Sequence, residues 1–175
     1  MTPIDHFLLR KFIQQAGDTL TGDWVLIGAT LLPLLGISQR TTTDIDLIGM
    51  TPDQNQQTLD LMMIAEQLGM PIESINQAAA YFLFKIPNFK DHLVLLHRGK
   101  TSTLYRPDLY LFLALKINRL SETDLDDCLK FIVFTKAEKK SMGQDSIKKL
   151  LTDAIRNAES KTKKTRLKKL LEALF

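Results

Sequence analysis

Residues 24–49 read WVLIGATLLPLLGISQRTTTDIDLIG. Trp24 to Ile27 is a short apolar run bounded by Gly22 and Gly28, which predicts a buried strand. Thr30 to Leu35 predicts a short buried helix ended by Gly36, with Pro33 tolerable only in its first turn. Asp44 to Ile48 alternates polar and apolar residues, the pattern of a strand with one polar face. A glycine turn and an Asp-x-Asp pair therefore lie within the same 26 residues.

The chemistry of that pair follows from its spacing. Side chains at i and i+2 of a strand leave the same face. Two carboxylates held a few ångströms apart repel unless a cation sits between them. Mg²⁺ suits such a clamp, because it takes hard oxygen ligands from one or two carboxylates and completes its shell with water and substrate phosphates. Asp44 and Asp46 are the candidate metal ligands. Gly28 follows the first strand directly, where the absence of a Cβ lets the backbone approach a ligand closely. The N–H groups of Ala29 and Thr30 beyond it are placed to meet an anion. Arg40 and Thr41 to Thr43 precede the pair and offer contacts to phosphate oxygens. Arg40 has a second reading as an ion-pair partner of Asp44 or Asp46.

Outward from this segment, residues 5–16 place Phe7, Leu8, Phe12 and Ile13 at helical spacing, and Gly17 is expected to end that helix. A helix is expected from Thr51 to Gly69. Tyr81 to Ile86 and His92 to His97 are expected as a hairpin across Pro87–Lys90. From Pro107 onward the pattern is helical only, over about 108–120, 122–135, 145–158 and 162–174, with Ser121 and Asp145 as N-caps. Helix, strand, helix, strand, helix, hairpin and a run of helices predict an α/β or α+β core over residues 1–106. A C-terminal helical region follows over 107–175.

Composition narrows the function classes. Of 175 residues, 45% are hydrophobic and 25% charged, ordinary for a domain with a real core. The single cysteine, Cys128, excludes a disulfide framework and any Cys-based zinc or iron–sulfur site, and it fits a reducing cytoplasm. Cys128 shares an apolar helix face with Leu125, Leu129 and Ile132 and reads as core. The longest apolar stretch, Trp24 to Ile37, is 14 residues long and interrupted, too short to span a membrane. A soluble cytoplasmic protein is expected. Arg98-Gly99-Lys100-Thr101 ends like a phosphate-binding loop, but that loop needs glycine where Val94 stands. The three histidines show no ligand spacing. Residues 1–135 carry 11 Lys+Arg and 15 Asp+Glu, whereas residues 136–175 carry 12 and 5. A basic tail of this kind attracts nucleic acid, an acidic protein or the chain's own acidic body, or simply solubilises a helical pair.

The Gly28 turn, Ala29, Arg40-x-Thr and Asp44-Ile-Asp-Leu resemble the signature of the nucleotidyltransferase superfamily. The likeness is greatest to its minimal prokaryotic branch, which includes toxins of abortive-infection toxin–antitoxin systems. That resemblance implies a small mixed sheet flanked by helices. It implies an NTP substrate, Mg²⁺ held by Asp44 and Asp46, and transfer of a nucleotidyl group to an acceptor hydroxyl on RNA, a protein or a small molecule. It also implies a cognate antitoxin as partner. Gly28, Ala29, Thr30, Arg40 and Thr43 then serve the triphosphate. Pro107 to Leu129 resembles the helical segment that follows the sheet in this branch, which makes Lys116 and Arg119 substrate contacts. Their alternative is pairing with Asp124 and Asp127. The family's third carboxylate has no clear counterpart: its strand reads HLVLLH, with Asp91 only at its edge. Either Asp91 or another group supplies the base, or the chain is a catalytically inactive relative that binds without turnover.

Overall fold

The computed structural model describes residues 4–38, 41–138 and 143–175. The chain divides into two compact units, 1–107 and 108–175. The α+β class expected from the element order is the one observed.

The first unit begins with α1 (His6–Thr19), capped by Asp5, whose carboxylate accepts the Leu8 N–H at 2.8 Å. Its apolar stripe buries Leu9, Phe12, Ile13 and Ala16. Gly17 does not end this helix. It lies inside it, because a hairpin turn rests on it. A Cβ at Gly99 would overlap the Gly17 carbonyl, and a Cβ at Gly17 would sit 2.7 Å from His97 Cδ2. Thr101 N–H closes the contact by donating to the Gly17 carbonyl at 3.2 Å.

The sheet has four strands in the order β2-β1-β4-β3, where β1 is Gly22–Ile27, β2 Asp46–Gly49, β3 Leu93–Arg98 and β4 Ser102–Pro107. β1 pairs antiparallel with β2 and parallel with β4, and β3 pairs antiparallel with β4. Trp24 to Ile27 are all buried, as a central strand covered on both faces requires. β2 begins two residues later than the alternation suggested, with Asp44 just before it.

The expected hairpin is corrected. Tyr81 to Ile86 is not a strand; Ala80–Leu83 forms a short helix, α4, and residues 89–92 form a 3₁₀ turn. The partner of β3 is β4, reached through Gly99–Thr101. An apolar run as short as Tyr81–Phe84 does not distinguish strand from helix by periodicity. Strand β4 escaped notice because it buries the polar Ser102 and Arg106 beside Leu104, so its inward face carries little hydrophobic signal.

Between α2 (Leu31–Leu34) and α4, the expected long helix is a 3₁₀ stretch, Pro52–Gln57, followed by α3 (Thr58–Gln67). Gln54 explains the break. Its side chain accepts the Thr51 N–H at 2.7 Å and donates to the carbonyls of Asp23 and Thr21 at 2.9 and 3.1 Å. It thereby ties the start of β1 to the chain leaving β2.

The second unit comprises α5 (Leu109–Lys116), α6 (Glu122–Ala137), α7 (Gln144–Asn157) and α8 (Lys161–Leu174). Ser121 caps α6 as expected, in a reciprocal capping box with Asp124. Asp145 is not the cap of α7; Gly143 is, and Asp145 lies in the first turn. Phe112 of α5 stacks on Phe131 of α6 at 4.3 Å between ring centres. Among the described residues, no helix is long and apolar enough to cross a membrane.

Candidate active site

Pairing β1 against β2 sets Ile27 opposite Asp46. Gly28, the next residue, then turns back beside the Asp46 carboxylate. Its φ is +81°, a conformation that side-chain-bearing residues rarely adopt. The space where its Cβ would stand is filled by Asp46 Oδ2. Two independent constraints therefore require glycine at position 28: backbone conformation and the position of an acid. Gly28→Ala is expected to destabilise the first unit by about 1–3 kcal/mol, the usual cost of such a backbone conformation in a non-glycine residue. The Cβ will also displace the Asp46 carboxylate. Thermal melts and nucleotide titrations of the variant check the two effects separately.

Asp44 is held differently. Its side chain is exposed, but its backbone is fixed. The buried Thr30 hydroxyl donates to the Asp44 carbonyl, and the Thr42 hydroxyl donates to the same oxygen at 3.1 Å. Thr42 also accepts the Asp44 N–H at 3.3 Å. Thr43 donates to Asp44 Oδ1 at 3.4 Å. Between the two acids, Ile45 is fully buried and forms a parallel bridge with Ile75. Its N–H donates to the Ser74 carbonyl at 2.6 Å, and the Asn76 N–H donates back to the Ile45 carbonyl at 3.0 Å. Ile45 is turned into the core, while Asp44 on one side of it is exposed and Asp46 on the other is half-buried.

The sequence-expected residues are thus partly gathered. Gly28 meets Asp46, Thr30 meets Asp44, and Thr43 lies against Asp44. Thr30 holds an acid's backbone in place. Ala29 is half-buried in the turn, and its carbonyl accepts the Leu32 N–H at 3.2 Å. Arg40 lies outside the described residues. Asp91 precedes β3, so β1 and β4 separate its strand from β2. At about 4.8 Å per strand spacing, three spacings amount to about 14 Å. Sequence reasoning missed the Ser74–Asn76 segment, and it offered Thr42 to phosphate where the hydroxyl instead bonds the Asp44 backbone. Neither carries a chemical signature, since each acts through main-chain geometry. A cavity of about 650 Å³ lies at the other end of β1, lined by Gly22, Asp23, Thr51, Asp53, Gln57 and Lys90 among others, and includes none of these residues.

Lys116 and Arg119 belong to the helical unit, where both meet aspartates. Lys116 Nζ lies 3.0 Å from Asp124 Oδ1 and 2.8 Å from Asp127 Oδ2. Arg119 grips both oxygens of Asp124, at 2.7 and 2.8 Å. Both carboxylates are buried. Burial alone would raise the Asp124 pKa. Hydrogen bonds from Arg119, Lys116 and Ser121 outweigh that and hold it well below the ordinary carboxylate range. The same hydrogen bond to Asp124 raises the Arg119 guanidinium further. Burial pushes the neighbouring Cys128 thiol up to about 12, which keeps it protonated and unreactive.

A glycine corner closed on an acid in an Asp-x-Asp segment is the geometry that family comparison can decide. Residues 6–174 match the family described as nucleotidyltransferase of unknown function (DUF6036). The chain belongs to that nucleotidyltransferase family. No curated protein and no solved structure matches it. Nucleotidyltransferases generally use divalent metals. The missing Cβ at Gly28 leaves the space that the Asp46 carboxylate occupies. Among the described residues, no group of three or more His, Cys, Asp or Glu is placed to hold a metal. Carboxylates such as those of Asp44 and Asp46 are the hard oxygen donors that such an ion takes, with water and phosphate completing its shell.

Proposed function

We propose that the chain transfers a nucleotidyl group from an NTP–Mg²⁺ complex to an acceptor hydroxyl. The observation that carries this reading is the Asp46 carboxylate lodged where a Gly28 Cβ would stand. Asp46 opens β2, and the register that sets it opposite Ile27 turns its carboxylate onto the glycine corner, so one ligand can meet both. In this reading Asp44 and Asp46 hold the ion, and the turn at Gly28 and Ala29 receives the phosphate chain. Thr30 and Thr42 keep Asp44 in place through its backbone. Bound there, the ion would neutralise charge on the triphosphate and on the attacking and leaving oxygens. The acceptor oxygen forms its bond to the α-phosphorus as the bond to pyrophosphate breaks, and the acceptor proton is lost. The resemblance to minimal prokaryotic members extends the reading to a toxin held by a cognate antitoxin, for which growth arrest on expression is the readout.

The test is label transfer from α-labelled NTPs, with Mg²⁺ or with chelator, alongside calorimetric titration of the same nucleotides. Transfer and pyrophosphate release that need the metal support the enzyme. The donor pair, with no third acid among the described residues, favours a second reading: a binding protein without turnover. Calorimetric binding with no transfer supports that one. No binding of any NTP–Mg²⁺ complex overturns both.

A further inference from the structure

The Asp-x-Asp segment begins before β1 can support it. Ile27 opposite Asp46 is the last rung between β1 and β2, and beyond it Gly28 turns away at positive φ. Asp44 and Ile45 therefore precede the paired part of β2, which is itself an edge strand of the sheet. Their backbone is held from the outer edge. Residues 74–76 run parallel to it: the Ile45 N–H donates to the Ser74 carbonyl at 2.6 Å, and the Asn76 N–H donates to the Ile45 carbonyl at 3.0 Å. Those two Ile45 groups belong to the two peptide units that join Asp44 to Asp46. Both links between the acids are thus pinned.

A continued parallel ladder would next serve the Leu47 carbonyl with the N–H of Ala78. The main chain does not continue it. The Ala78 N–H donates instead to Asn76 Oδ1 at 2.9 Å, a local turn that leads into α4. The side chain of Gln77 stands in for the missing rung. Its Nε2 donates to the Leu47 carbonyl at 3.4 Å, and its Oε1 accepts the Thr58 hydroxyl at 2.9 Å. A carbonyl only accepts, so this orientation of the amide is the one that serves both neighbours. Thr58 opens α3, so one amide ties the outer edge of β2 to the start of a helix.

We propose that Gln77 is a positioning residue for the acid pair. By closing the last rung it holds residues 44–47 against residues 74–76, and through that backbone it sets where the carboxylates of Asp44 and Asp46 stand. Their task of holding a divalent ion rests on the nucleotidyl-transfer reading. Groups that orient metal ligands from behind account for about 10–100-fold in metal affinity or activity when they are removed. Gln77 acts at one remove further, through the Leu47 carbonyl, so the lower end of that range is expected.

The experiment is a titration of the full chain with Mn²⁺ alone, followed by electron paramagnetic resonance, beside melting curves and transfer rates at low and saturating metal. Gln77→Met keeps the side chain's length and removes both polar ends; it should weaken Mn²⁺ binding by about tenfold. Gln77→Glu keeps an acceptor for Thr58 but sets a carboxylate against the Leu47 carbonyl, and it should weaken binding at least as much. Gln77 is half-buried, so both variants should melt within a few degrees of wild type. Transfer should fall in step at low metal and recover at saturating metal, a pattern that loss of folded protein does not give. Thr58→Val should cost less, and nothing more in the Gln77→Met background, since the two residues share one bond. Mn²⁺ binding that Asp46→Asn abolishes and both Gln77 variants leave unchanged overturns the positioning role and leaves the transfer reading standing. Mn²⁺ binding that is absent, or indifferent to Asp46→Asn, overturns that reading and the positioning role with it. Weaker binding that follows a large fall in melting temperature and does not recover at saturating metal also overturns the role, by making Gln77 a support of the fold alone.

Discussion

Asp46→Asn is expected to lower nucleotidyl transfer by about 10²–10³-fold or more, the scale of loss when an electrostatic contact to the reacting phosphate is removed. The substitution is nearly isosteric. The amide still fills the space beside Gly28, so the turn at φ +81° has no reason to rearrange. What disappears is a negative charge. A two-carboxylate clamp that loses one charge loses much of its hold on a divalent ion, since the remaining ligands are water and substrate. Stability should change little, by about 0.5 kcal/mol at most, because Asp46 is only half-buried. Label-transfer rates and melting curves for wild type and variant separate charge from fold. A rate within a few-fold of wild type would remove Asp46 from the chemistry. Raising Mg²⁺ should recover part of the loss if the defect is metal affinity.

That expectation shows how the site was legible. Gly28 could be picked out because it ends an apolar run, and Asp44-x-Asp46 because two acids alternate with apolar residues at i, i+2 spacing. Which atoms would meet could not, since that depends on strand register. Ile27 opposite Asp46 is a fact of antiparallel pairing. Thr30 illustrates the limit. The sequence points to its backbone N–H as an anion contact and says nothing of its hydroxyl, which is buried on the Asp44 carbonyl. The fold was legible in the same uneven way. Helix α1 announced itself by its apolar periodicity and α6 by its cap at Ser121, whereas the Asp5 cap of α1 appears only in the structure. Strand β4 did not, because Ser102 and Arg106 are polar and buried. Gly17 misled for a physical reason: glycine marks a helix end or a close approach, and only the packing of Gly99 on it decides between them.

Lys116→Met should destabilise the protein by about 3–5 kcal/mol near neutral pH, the cost of removing one partner from a buried ionic cluster. Methionine keeps most of the side chain's volume, so the loss reports charge. Lys116 bridges Asp124 and Asp127, which are only 1% and 2% exposed. Arg119 still grips Asp124 in the variant, but the ammonium between the carboxylates is gone. The sign of the pH dependence follows. In the wild type Asp124 has a depressed pKa, so its contribution is fully present above the unfolded carboxylate value near 3.8 and is lost as pH falls toward the depressed one. In the variant Asp124 loses one of the hydrogen bonds that depress its pKa and holds a proton more readily, and a protonated carboxyl needs no cation. The gap between wild type and Lys116→Met should therefore be widest near neutral pH and should narrow below about pH 4. Urea denaturation of both proteins at the two pH values, followed by far-UV circular dichroism, measures it. An equal gap at both would mean that Lys116 matters for packing and that its charge does not.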